Sequence, residues 1–114
     1  MKQTLFLVAL FMLGCSSSWR DVPYEVYWID GKKSLGFIVG EGSYIERIEE
    51  PKEIKANASF ISVYACPEQS CAYYYIDRMN DHKFAESTEF VFGPYTKQEF
   101  EKLQKELSLP NIYK

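Results

Sequence analysis

The chain has 114 residues, 13 basic and 16 acidic, with a formal net charge of −3 and a hydrophobic fraction of 46%. That length suits one domain with one modest core and is too short for two. An acidic balance without clustered Lys and Arg excludes the usual footprint of a nucleic-acid binder.

Met1 and Lys2 lead into an unbroken apolar run of nine residues, Leu5 to Leu13. Nine helical residues rise only about 14 Å, short of a hydrocarbon core of roughly 30 Å. A charged start, a short apolar stretch and a small residue read as a secretion signal over residues 1–14. Met12-Leu13-Gly14-Cys15 resembles the lipobox of bacterial lipoproteins, with Met12 standing where leucine is usual. The resemblance implies that Cys15 is acylated and becomes the first mature residue. Residues 15–22 are then the lipidated cysteine and a short tether, and 23–114 a single globular domain. The expected partner of the N-terminus is therefore a membrane, reached through lipid. In enteric-type bacteria an Asp after that cysteine commonly holds a lipoprotein in the inner membrane. Ser16 stands there instead, so the expected address is the cell envelope, on the outer membrane facing the periplasm. Without Lys2 the balance becomes 12 − 16 = −4.

Strands come first and one helix last. Tyr24 to Asp30 alternates, with Tyr24, Val26 and Trp28 on one face and Glu25, Tyr27 and Ile29 on the other. Asp30-Gly31-Lys32-Lys33 is a hairpin-type turn signal. Leu35, Phe37 and Val39 form one face of a second strand, Gly40-Glu41-Gly42 a further turn, and Tyr44 to Ile48 a third strand. Pro51 to Ala58 is polar and reads as loop. Phe60 to Ala65 and Ala72 to Asp77 read as strands either side of Cys66-Pro67-Glu68-Gln69-Ser70-Cys71. In an exported protein that pair predicts a structural disulfide across the hairpin mouth. A redox pair would usually be spaced by two residues, and zinc needs more ligands than two thiols. Glu89 to Phe92 reads as a short sixth strand. Thr96-Lys97-Gln98-Glu99 fits a capping box, with Tyr95 and Phe100 placed for a hydrophobic staple. Phe100, Leu103 and Leu107 recur at helical spacing, and Pro110 ends the helix. The expected fold is α+β, an antiparallel meander of five or six strands with one C-terminal helix.

No catalytic constellation is evident, and no cofactor or metal site. The single histidine, His82, lies in a polar run with Asp77 and Asp81 and reads as solvated loop. Glu46, Glu49, Glu50 and Glu53 are interleaved with Arg47, Lys52 and Lys55, which reads as a charge-balanced, solvated face. Recognition is the remaining candidate. Tyr73, Tyr74 and Tyr75 are consecutive, so a strand points Tyr74 opposite to the other two, and Tyr27 and Tyr64 could extend an aromatic surface. A short tether favours a contact surface away from the point where the chain enters the fold. The tip of the cysteine hairpin is the candidate there, with Glu68, Gln69 and Tyr74 as the partner-binding residues.

Tyr74-Tyr75-Ile76-Asp77-Arg78, Gly93-Pro94-Tyr95-Thr96 and the helix from Glu99-Phe100 to Glu106-Leu107 are similar to the C-terminal ends of small bacterial lipoproteins of no established activity. A "YYIID" strand and a "GPxTxxEF" helix start recur there. The resemblance covers about a third of the chain and implies fold and address but no mechanism. The expectation for function is a membrane-anchored, non-enzymatic protein-binding module of the immunity, inhibitor or exclusion kind. The alternative is a structural or assembly accessory of an envelope complex.

Overall fold

The computed structural model describes residues 19–112. The expected signal segment, residues 1–14, and the expected lipidation site Cys15 lie outside the described residues. Eight strands form two antiparallel four-stranded sheets. The first contains β1 (Arg20–Asp21), β2 (Tyr24–Ile29), β3 (Lys32–Gly40) and β4 (Ser43–Glu49) in that order. The second contains β5 (Pro51–Ala56), β6 (Phe60–Ala65), β7 (Ala72–Asp77) and β8 (Val91–Tyr95), followed by helix α1 (Lys97–Leu107).

Strand alternation decides what each face meets. Tyr24, Val26, Leu35, Phe37 and Ile48 of the first sheet pack against Ile61, Val63, Ala65 and Ile76 of the second. The opposite face of the second sheet carries Phe60, Tyr64, Tyr73 and Tyr75, and these receive Phe100 and Leu103 of α1 with Leu109 and Ile112 beyond it. The molecule is thus three layers deep: sheet, sheet, helix. The second sheet, covered on both sides, supplies the central layer, which is why β6 reads as a nearly continuous buried run.

The α+β class holds, but the strands number eight rather than five or six and divide between two sheets. Two strands account for the difference. β5 covers the segment expected as loop. It is an edge strand, starting on Pro51 and carrying Lys52, Glu53 and Lys55. Charges and a leading proline are how edges are kept from pairing with other chains, and they hide a strand from a hydrophobicity pattern. Between β4 and β5 the chain changes sheets at Glu50, which adopts φ 51°. β1 is the other addition. Arg20 pairs with Glu25 and Asp21 with Tyr24, and Trp19 packs on the core. The fold therefore takes in residues 19–21, which the sequence had assigned to the tether.

The helix start is as read. Thr96 Oγ1 accepts from the Glu99 amide and the Glu99 carboxylate accepts from the Thr96 amide, and Tyr95 and Phe100 rings lie 6.5 Å apart. The apolar stripe differs at its end. Leu107 is exposed, and the chain turns at Ser108 so that Leu109 and Ile112 complete the contact instead.

Candidate functional site

Opposite Leu35 and Gly36 the β3–β4 ladder slips: Leu35 pairs with Ile48 and Gly36 with Glu46, leaving Arg47 as the extra residue. A bulge of this kind re-aims one side chain. Here it sends Arg47 inward beside Ile48, over the Phe37 ring at 5.2 Å. The buried guanidinium meets Asp81, 34 residues away, through Nε and Nη2, each 2.9 Å from a different carboxylate oxygen. Nη2 also donates to the His82 carbonyl at 3.1 Å. The Asp81 carboxylate further accepts from the Tyr24 hydroxyl and the His82 amide, both at 2.9 Å. Neither the Arg47 nor the Asp81 side chain is exposed. Burial first, then the bond to Asp81, raises the Tyr24 hydroxyl well above its ordinary range.

Both charged residues were expected on solvated surfaces. What overturns that reading is the bulge, which has no signature in residue type. The two charges sealed from water are matched in geometry through Nε and Nη2, while Arg47 Nη1 is buried without a hydrogen-bond partner. Joining a strand to a loop 34 residues away, the pair acts as a latch. It fastens the long β7–β8 connection, residues 78–90, across one end of the sandwich. A second fastening lies beside it: Arg78 donates to Asp21 at 3.0 Å and to the Asn57 carbonyl at 3.0 Å, over the Tyr24 ring at 5.4 Å. Within the loop itself, Ala85 is buried.

The same loop presents large apolar side chains to solvent. Phe84 is 83% exposed and Met79 71%; Val22, beside the Asp21–Arg78 pair in sequence, is 62% exposed. His82 is exposed at the surface of this segment. Among the described residues no group of three His, Cys, Asp or Glu side chains is arranged to hold a metal ion.

Of the residues expected to bind a partner, Glu68 and Gln69 are exposed on the cysteine hairpin, closed by the Cys66–Cys71 disulfide. They line a shallow basin of about 430 Å³ with Lys32, Glu50 and Lys52. Tyr74 does point opposite to Tyr73 and Tyr75, but inward. It packs against the inter-sheet core and lines a separate cavity of about 210 Å³ with Arg47, Pro67, Val91 and Gly93. Tyr64 lies against Tyr73 beneath the helix, while Tyr27 stacks on Tyr44 at 4.2 Å on the outer face of the first sheet. The tyrosines therefore form no common surface.

The cysteine hairpin is also not remote from where the chain enters. Cys66 donates to the Glu50 carbonyl, and Glu50 to that of Lys33. Trp19 lines a cavity of about 230 Å³ with Trp28, Lys33, Pro51 and Lys52. The chain's entry thus neighbours the cysteine hairpin through Trp19 and Pro51 and the latched loop through the Asp21–Arg78 pair. In comparisons with known proteins, no family model, curated protein or solved structure matches this chain.

Proposed function

We propose that the protein is an exported, lipid-anchored domain of the bacterial envelope that works by gripping another protein. The observation that carries this reading is the loop at residues 78–90. It is pinned by a buried, bidentate ion pair and yet holds Phe84 and Met79 out in water. A fixed loop loses little conformational freedom on binding, so exposed apolar side chains on it contribute more of their burial to affinity. Large apolar anchors surrounded by polar groups are what protein contact sites present. This reading moves the contact from Glu68, Gln69 and Tyr74 to the 78–90 loop.

The test is a photo-cross-linking side chain placed in cells at position 84 or 79, and for comparison at 68 or 69. One discrete adduct from 84 or 79 is the expected result. Phe84→Ala should then weaken binding of the purified adduct partner at least about tenfold, as loss of a central aromatic does, with unchanged melting. Adducts from 68 or 69 alone would return the site to the cysteine hairpin. A protein giving no adduct at any of the four positions would defeat the binding reading.

A further inference from the structure

Trp28 and Ile29 end β2 at the tip of the hairpin with β3, and they are 65% and 54% exposed. Successive strand residues point to opposite faces, so these two cannot be covered by one flat protein layer. A medium that surrounds the tip can cover both. Trp19, the first described residue, lies beside Trp28 across the cavity they share with Lys33 and Lys52. If Cys15 is acylated, the chain from there to Trp19 spans four residue steps, at most about 14 Å when fully extended. The hairpin tip thus sits within reach of the surface that the anchor enters.

We propose that the β2–β3 hairpin tip, through Trp28 and Ile29, seats in the headgroup layer of the phospholipid surface to which the chain is anchored. The proposal rests on the lipid-anchor reading and adds an orientation to it. Tryptophan favours the membrane–water interface, where its apolar ring and its N–H are both satisfied. Lys32 and Lys33 follow on β3 and can lay their stems along the apolar region with their ammonium groups in water; Lys32 reaches Glu49 at 3.3 Å. Asp30, exposed at the turn itself, keeps the penetration shallow.

The chain has only two tryptophans, and both are at this end. The experiment uses full-length lipidated protein purified from cells and reconstituted into phosphatidylcholine vesicles with or without brominated acyl chains. Trp19→Phe leaves Trp28 as sole emitter. Its fluorescence should be quenched by bromolipid, shift to shorter wavelength and resist aqueous acrylamide. Trp28→Phe isolates Trp19, so the wild-type signal minus this variant reports Trp28 even if Trp19→Phe folds poorly. A protein that carries its acyl chains by mass spectrometry and floats with vesicles, but whose Trp28 stays quenched by acrylamide and untouched by bromolipid, overturns the seating and leaves the anchor standing. A chain isolated without acyl groups overturns both.

Discussion

Arg47 and Asp81 meet as a fork on a carboxylate, two bonds of 2.9 Å with no water access to either side chain, although they come from a strand and a loop 34 residues apart. The relationship joins the two halves of the chain and holds the only long connection of the second sheet.

Breaking that pair on one side should be costly. Asp81→Ala leaves a buried guanidinium without its anion, and a loss of about 3–5 kcal/mol is expected. The paired replacement Arg47→Met with Asp81→Leu should cost much less than Asp81→Ala, because two buried charges are removed together. Urea melts of the three proteins check this. Equal destabilisation by the single and double replacements would show that the loop is held by something other than the pair.

Alkaline pH should loosen the fold. Burial and the Asp81 carboxylate raise the Tyr24 hydroxyl above its ordinary range, and burial raises Tyr27, Tyr73, Tyr74 and Tyr75 in the same direction. An unfolded tyrosine ionises near pH 10 (roughly). Above that the unfolded chain binds fewer protons than the folded one, so stability falls as pH rises. It is fully present below the unfolded value and lost as pH climbs through the higher folded value. Denaturation midpoints between neutral pH and strongly alkaline pH measure the slope, and Tyr24→Phe should make it shallower. An unchanged slope in that variant would assign the alkaline loss elsewhere.

Gly93 adopts φ 137°, and a Cβ there would stand 2.7 Å from the Tyr73 carbonyl oxygen and 2.7 Å from the Tyr74 ring. Gly93→Ala meets both a backbone conformation that L side chains avoid and a backbone atom that cannot swing aside. A loss of about 2 kcal/mol or more is expected, read as a lower melting temperature. Tyr74→Ala should also lower melting, since its ring packs on the core. Tyr74→Phe keeps the ring and should melt close to wild type. A partner's affinity unchanged by Tyr74→Phe would agree with the inward placement of this residue.

The disulfide makes a modest contribution. Cys66 and Cys71 close a loop with a sequence separation of 5, for which chain entropy gives about 2 kcal/mol. Cys66→Ser with Cys71→Ser should fold and melt earlier by that amount. Two thiols reactive in the wild-type protein isolated under oxidising conditions, before any reduction, would rule the bridge out.

Local grammar explains which parts of this fold were legible. The β2–β3 and β6–β7 hairpins, the disulfide between the latter pair, the opposed Tyr73–Tyr74–Tyr75 faces and the capped helix each depend on residues within one element or across one turn. Alternation, turn chemistry and capping act over that range, so the residues themselves determined them. The missed elements were edges: β5, charged along its length, and the two-residue β1, whose strand character comes from pairing with β2 rather than from its own composition.

The rest was decided by tertiary structure. The sense in which Tyr74 points was settled by alternation, but whether that side was solvent or core depended on a second sheet lying across it. Arg47 is polar by type and neighboured by glutamates, and only a one-residue slip in the β3–β4 register turns it inward to meet Asp81. Which end of the sandwich holds the cysteine hairpin depends on the kink at Glu50 that carries the chain from one sheet to the other. Periodicity reports which residues share a face. It does not report what covers that face, because burial is a property of elements brought together from distant parts of the chain.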